Sequence, residues 1–202
     1  MNDLEKMRER RDACFEFAKN FGQATFERDD GANAELSRLC RRYADSFSMK
    51  SKWLVLSGAC GVGKSYAAAC IANELISRHS VLFLTIPDIE RMMWRDKNET
   101  HKMLMDASLL IIDDFGTERK TEFVNELKFS IIDGRLRSGK PCVITTNLGL
   151  NDFASPPSLQ DCRVISRIFE KSIFYEVKGS DRRFEKLRKT SRAALDELLK
   201  EN

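Results

Sequence analysis

The stretch SGACGVGKS at residues 57–65 decides the fold. It follows the apolar run WLVL at 53–56 and leads into helix formers over 64–78, so its glycines stand where a strand turns into a helix. Its fixed positions, from Gly58 to Ser65, match the pattern GxxxxGKS/T. In such a loop, backbone N–H groups face phosphate, and the N-terminal end of the following helix adds positive potential. The stretch therefore predicts a phosphate-binding loop.

The residue types in this loop suit a nucleotide and a divalent cation. The ammonium of Lys64 would reach the β- and γ-phosphates, and the hydroxyl of Ser65 would ligate Mg²⁺. Cys60 has no neighbouring base for nucleophilic chemistry, so we interpret it as a variable position. The alternative is a flexible glycine-rich turn beside a surface lysine. We expect nucleotide contacts from Gly58, Ala59, Cys60, Gly61, Val62, Gly63, Lys64, Ser65 and Tyr66.

Two further apolar runs end in polar side chains. The run LLIIDDFG at 109–116 ends in Asp113, predicted to hold Mg²⁺, and Asp114, predicted to orient or deprotonate the attacking water. The run VITTN at 143–147 ends in Asn147, which would contact that water or the γ-phosphate. The alternatives are an ordinary strand-end turn for the two aspartates and a helix cap or turn for the asparagine. Together with the phosphate loop, the three positions predict catalytic and metal roles.

Apolar runs of strand length alternate with helical patterns along the chain. Continuous apolar runs suit strands that are buried on both faces, as in a parallel sheet. Strands that alternate with helices imply an α/β fold with right-handed crossovers. We therefore predict the three-layer αβα sandwich of a P-loop NTPase. Besides 53–56, the predicted strands are 80–86, 108–114, 141–147 and 172–177; the predicted helices are 3–20, 34–47, 64–78, 87–106, 120–138 and 181–200.

The sequence also predicts how the chain is divided. Residues 1–33 read as a helical appendage, and residues 34–202 as the ATPase domain. A hydrophobic content of 42% is enough for a core, and a net charge of +3 does not by itself imply nucleic-acid binding. None of the six cysteines forms a CxxC pair, and the apolar runs are too short to span a membrane. We expect reduced thiols and a cytoplasmic protein.

With these motifs in order, the chain resembles the AAA+ ATPases, and within them the DnaC/DnaI/IstB branch of bacterial helicase loaders and transposition helpers. The resemblance covers about residues 36–183. It implies that the segment DCRVISRIFE at 161–170 carries an arginine finger, Arg167, with Arg163 close by. An arginine supplied to the neighbouring subunit implies a homo-oligomeric ring or spiral. The alternative is that both arginines lie on a solvated helix face.

The same resemblance identifies GSDRRF at 179–184 as the sensor 2 segment. Arg182 would then act on its own subunit's nucleotide, with Arg183 almost as good a candidate. The chain departs from the family in having Asp114 where a glutamate is usual, which implies slow hydrolysis. Its N-terminal part is also short for a cellular loader and is typical of a phage or mobile-element protein.

Residues 87–107 occupy the place where relatives insert a DNA-contacting element. Positive and aromatic side chains there are Arg91, Trp94, Arg95, Lys97 and Lys102. The alternative is an amphipathic helix whose apolar residues pack on the sheet, with Ile89, Met92, Met93, Met103 and Leu104.

The predicted function is an ATP-dependent loader that binds single-stranded DNA and delivers a replicative hexameric helicase. In it, ATP binding and hydrolysis act as an assembly switch. The alternatives are an IstB-like transposition ATPase acting on duplex DNA and a non-catalytic nucleotide-binding adaptor.

Overall fold

A computed structural model of the chain describes residues 21–119, 121–154 and 159–198. The predicted helix 3–20 lies outside these ranges. In chain order the elements are α1 (Ala34–Asp45), β1 (Trp53–Ser57), α2 (Lys64–Leu75), β2 (Val81–Thr85), α3 (Ile86–Arg95), α4 (Lys97–Asp106), β3 (Leu109–Phe115), α5 (Glu122–Ser138), β4 (Cys142–Thr146), α6 (Leu150–Ala154), α7 (Leu159–Lys171), β5 (Ser172–Glu176) and α8 (Arg182–Leu198).

The five strands form one parallel sheet in the order β2-β3-β4-β1-β5. Successive residues of a strand point to opposite faces, and both faces are covered. Leu54 and Leu56 pack with α1 and α2, whereas Val55 packs with α3, α4, α5 and α7 on the other face. The predicted three-layer α/β fold is therefore confirmed. The strand β5 is less buried because it forms one edge of the sheet.

The predicted helix over 87–106 is wrong in one respect, because the structure contains two helices there. Asp96 has extended backbone angles, and its side chain accepts a hydrogen bond from the Glu99 N–H. Aspartate is a favoured N-cap because its carboxylate satisfies one of the free N–H groups at a helix start. The cap therefore starts α4 anew and divides the predicted helix at Asp96.

Residues 21–33 lie against the core formed by the sheet and its helices. Ala24 and Phe26 are buried in the same cluster as α1 and α2, and the Asn73 side chain donates hydrogen bonds to the carbonyls of Phe21 and Ala24. The domain boundary at 33/34 stays a prediction, and the segment before it contacts the core. Within the described ranges, no helix is both long and apolar enough to cross a membrane.

Candidate nucleotide site

The phosphate loop lies at the carboxyl end of β1 and opens α2, as the sequence predicts. Gly61 and Gly63 have φ angles of 75° and 102°, in the left-handed region that glycine adopts at little cost. A Cβ on Gly61 would lie 2.0 Å from a carboxylate oxygen of Asp181, and a Cβ on Gly63 would lie 2.9 Å from the guanidinium of Arg182. The chain at the start of α8 therefore lies directly against the loop, which leaves no room for side chains at these two glycines.

Lys64 is buried and turned into the loop. Its Nζ donates hydrogen bonds to the carbonyl oxygens of Gly58 at 2.9 Å and Ala59 at 2.7 Å, and to Oδ1 of Asn147 at 2.8 Å. Burial lowers the pKa of this ammonium, although the nearby Cys60, Asp114 and Asp113 act in the opposite direction. The structure thus brings together Lys64 and Asn147, which the sequence places 83 residues apart.

Asp113 ends its strand as a buried carboxylate. Its Oδ1 accepts a hydrogen bond of 2.6 Å from the Thr145 hydroxyl, and the nearby Ser65 hydroxyl also lowers its pKa. Burial raises the pKa of Asp113 even though both hydroxyls favour the charged form. A divalent cation would supply the positive charge that this buried carboxylate favours. Ser65 and Asp113 are therefore the residues that could hold Mg²⁺.

Asp114 differs from Asp113 in its exposure to solvent and in its backbone conformation. It is exposed, its φ is 52°, and its N–H donates to the Thr145 hydroxyl at 2.9 Å. A positive φ is unusual for a residue with a side chain, and strained backbone of this kind clusters at functional sites. The turn directs Asp114 into the cavity beside Lys64, where a carboxylate can contact a water molecule.

One cavity of about 540 Å³ joins Lys64, Ser65, Asp114 and Asn147, whereas Asp113 is buried beside Ser65 and is not among its lining residues. Several predicted residues line it, among them Cys60, Gly61, Gly63, Lys64, Ser65, Tyr66, Asp114, Asn147 and Arg182. Val62 is buried beneath the loop, and Gly58 and Ala59 meet Lys64 through their carbonyls. Arg183 also lines the cavity, so the choice between the two neighbouring arginines stays open. The size of the cavity and its mixture of charges suit a phosphorylated ligand.

The segment before α1 also contributes to the cavity, which no local sequence pattern predicts. Phe21, Arg28, Asp29 and Asp30 also line the cavity. Nη2 of Arg182 lies 2.6 Å from Oδ1 of Asp30 and 3.6 Å from Oδ1 of Asp29. The two aspartates are visible in the sequence as an acidic pair, but nothing local connects them with an arginine about 150 residues later.

Arg163 and Arg167 lie on α7 and are not among the residues that line the cavity of their own chain. Arg163 is exposed, and Nη1 of Arg167 lies 3.2 Å from Oδ1 of Asp133 on α5. This position fits either a solvated helix face or contact with a neighbouring copy.

The proposed DNA-contacting region has two distinct faces. Ile89, Met103 and Leu104 are buried, and Met92 and Met93 pack partly against the core. The side chains on the opposite face are exposed: Arg91, Trp94, Arg95, Lys97 and Lys102. The two helices are therefore amphipathic, with apolar residues packed on the core and basic and aromatic residues exposed. Contact of this exposed surface with DNA stays a prediction.

Comparison with known proteins gives the same classification. The model of the family described as IstB-like ATP binding protein matches residues 4–191. The replicative helicase loader DnaC of Escherichia coli K12 is 30% identical over 121 residues, which are 56% of this chain and 49% of that protein. The chain thus spans about half the length of this curated relative.

Solved structures agree on the fold. A crystal structure of DnaI covers 79% of this chain and 90% of its own, with a TM-score of 0.65 and 26% identity. A crystal structure of the DnaC helicase loader covers 80% of this chain and 100% of its own, with a TM-score of 0.68 and 22% identity, which supports the fold alone. The chain therefore belongs to the IstB-like ATP-binding protein family and has the AAA+ fold that its motifs predict.

Proposed function

We propose that the protein is an ATP-dependent helicase loader that hydrolyses ATP at the cavity above the phosphate loop. The observation that carries the proposal is the convergence of Lys64, Asp113, Asp114 and Asn147 at the carboxyl ends of three parallel strands. Ligands of open α/β sheets bind at this edge. The similarity to DnaC supports helicase loading as the use made of the ATP site.

Each residue has a distinct part in this proposal. Lys64 exchanges its carbonyl partners for phosphate oxygens, and Asn147 keeps the ammonium aligned through its 2.8 Å hydrogen bond. Mg²⁺, bound by Ser65 and Asp113, would neutralise charge that develops on the phosphates. Asp114 positions water, and its aspartate side chain, one methylene shorter than glutamate, suits slow turnover. These four contributions are positioning and electrostatics, which dominate phosphoryl transfer.

Arginines complete the proposed site from two directions. Arg182 belongs to the cavity of its own chain, where it lies beside Gly63. Arg167 lies away from that cavity, and in the proposed ring or spiral it stabilises the transition state in the next subunit, with Arg163 nearby. An arginine supplied in trans contributes on the order of 10³-fold or more to the rate. Assembly of the homo-oligomer is therefore a condition for efficient hydrolysis.

Single-stranded DNA and a replicative hexameric helicase are the proposed macromolecular partners. The exposed face of α3 and α4 combines Arg91 and Arg95 with Trp94. Trp94 is 74% exposed, and the centroid of its ring lies 5.6 Å from that of Phe123. Guanidinium groups contact phosphate, and an exposed indole can stack on a base. ATP binding would stabilise the oligomer on DNA, and hydrolysis would release it.

A second candidate function is favoured by the family match itself. The matching family is named after IstB-like proteins. A transposition helper of that kind, acting on duplex DNA, would use the same ATP site. The two functions differ in DNA form and protein partner. ATP turnover should rise with single-stranded DNA in a loader and with duplex DNA in a transposition helper.

The deciding experiment combines turnover with association. ATP turnover is measured with single-stranded DNA, duplex DNA and no DNA, and the protein is used to capture a purified hexameric helicase with ATP present. Capture together with stimulation by single-stranded DNA supports the loader. Stimulation by duplex DNA without helicase capture overturns it in favour of the transposition helper. If Lys64→Ala keeps full helicase-loading activity, the proposed dependence of loading on ATP is overturned.

A further inference from the structure

Two buried charges and a partly buried one connect the loop after β3 with α7. Nζ of Lys128, on α5, lies 2.9 Å from Oε1 of Glu118 and 3.7 Å from Oδ1 of Asp161. The exposed fractions of these side chains are 7% for Lys128, 4% for Glu118 and 18% for Asp161. Charges at this depth are costly without partners, so such a set is held in fixed geometry.

Glu118 fixes the loop that contains Asp114. Its Oε2 accepts a hydrogen bond of 2.8 Å from the Gly116 N–H. The Thr117 hydroxyl donates to the carbonyl of Asp114 at 2.8 Å, so the segment 114–118 is a closed turn. A shift of Asp114 toward a bound nucleotide would therefore move the Glu118 carboxylate, and Lys128 would have to follow or lose its partner.

Asp161 stands on the helix that carries Arg163 and Arg167. It precedes Arg163 by two residues and Arg167 by six, within α7. A second contact, between Arg167 and Asp133, joins the same two helices further along. Helix α7 packs on α5 through the buried Val164 and Ile168, and two ionic contacts also join the helices. The ionic contact nearer Arg163 runs through the ammonium that also holds Glu118.

We propose that Lys128 is a positioning residue that couples the Asp114 loop to α7. When the loop adjusts to nucleotide, Lys128 transfers the movement to Asp161 and so sets how Arg163 and Arg167 are presented. The inference rests on the proposed function, in which those arginines serve the neighbouring subunit. Its consequence is that occupancy of one site prepares the next site around the assembly.

The three charges can be separated by substitution. Asp161→Asn leaves the Glu118–Lys128 pair and the Asp114 loop in place, but it removes the ionic contact between Lys128 and α7. Glu118→Gln releases the loop and leaves Lys128 with Asp161. Lys128→Met releases both, and Lys128→Arg retains a cation as the conservative control. Because a 1 Å misplacement of a catalytic group can cost about 10²-fold, each release should lower turnover by roughly 10-fold or more.

Mixing the variants tests which half of the site each one damages. In a random equimolar mixture, about one interface in four joins an intact loop to an intact arginine helix. Asp161→Asn mixed with Asp114→Asn should therefore regain measurable turnover. Asp161→Asn mixed with Glu118→Gln should regain none if the loop and α7 are coupled, because Glu118→Gln then disturbs both. Glu118→Gln with Asp114→Asn should regain none, and Lys128→Met should be rescued by neither partner. Lys128→Arg should retain more turnover than Lys128→Met.

Amide hydrogen exchange gives a readout that does not need turnover. Glu118→Gln should raise exchange in peptides covering 161–171, although the substitution lies in a different segment. Unchanged exchange there would overturn the coupling whether or not the protein hydrolyses ATP. Wild-type protein without turnover would instead overturn the proposed function. Turnover of wild-type protein together with failure of Asp161→Asn to be rescued would overturn the role of Lys128 and leave the ATPase intact.

Discussion

Replacing Lys64 by methionine separates what the ammonium does for a nucleotide from what it does for the fold. In the structure the ammonium is buried and makes three hydrogen bonds, and burial lowers its pKa. A folded pKa below the unfolded value means that the charged form opposes folding at neutral pH. The lost hydrogen bonds and the lost desolvation cost therefore offset each other. We expect the nucleotide-free melting temperature of Lys64→Met to stay within about 3 °C of wild type.

The effect on ATP binding should be far larger. Two unit charges 4 Å apart interact by about 4 kcal/mol at an effective dielectric constant near 20, which corresponds to roughly 10³-fold in affinity. ATP at about 100 times its dissociation constant stabilises a protein by about 2.7 kcal/mol. For a chain of this size that raises the melting temperature by about 5–10 °C. Lys64→Met should lose nearly all of this rise at the same ATP concentration.

The assay is thermal unfolding with and without Mg²⁺–ATP, and it has a matched control. Lys50→Met makes the same chemical change at an exposed turn, so it should keep the full ATP-dependent rise. A Lys64→Met protein that keeps that rise would contradict the role of the ammonium in ATP binding. A nucleotide-free melting temperature that falls by much more than about 3 °C would show instead that the fold requires the buried ammonium.

Three further predictions concern the same cavity. Asp113→Asn should hold or raise the nucleotide-free melting temperature at neutral pH, because burial raises the pKa of Asp113 and its charged form opposes folding. This advantage of the variant should shrink as the pH falls through the raised pKa. In a titration, Mg²⁺ should no longer strengthen the binding of ATP to the variant. Asp30→Asn should free Arg182 for the nucleotide and raise the affinity for ATP about two- to five-fold, because an exposed ion pair is worth up to about 1 kcal/mol. The affinity for ADP should stay constant. An equal change for both nucleotides in calorimetry would contradict this prediction. ATP should slow alkylation of the exposed Cys60 thiol by a bulky maleimide in monomeric protein, and an unchanged rate by mass spectrometry would place the nucleotide elsewhere.

Local sequence patterns predict the strands and the phosphate loop well for a physical reason. In β1 and β3 successive residues face the helical layers on opposite sides of the sheet, and both layers are apolar, so an unbroken apolar run is required. The loop needs residues that tolerate positive φ and close contact, which restricts Gly61 and Gly63. Both requirements act within a few residues, and they are therefore visible in a single sequence.

Contacts between distant polar residues are not visible in this way. Asp30 meets Arg182 and Lys128 meets Asp161 only after the chain has folded, and neither pair has a period or a spacing. The division at Asp96 shows a related limit, because the helical pattern of apolar residues continues through it while the capping side chain ends one helix and starts another. The roles of Asp114, Asn147, Arg167 and Arg182 in hydrolysis stay predictions.

If each ATP site is completed by an arginine from the next subunit, two variants that are inactive alone must restore each other when they are mixed. Arg167→Ala lacks the arginine but keeps its own site, whereas Asp114→Asn keeps the arginine but has a damaged site. We predict that each variant alone has little ATP turnover and that an equimolar mixture regains about a quarter of the wild-type value, because about one site in four then joins an intact Asp114 to a neighbour's Arg167. Wild-type turnover of Arg167→Ala alone, or no recovery when the two inactive variants are mixed, would contradict a trans-acting arginine.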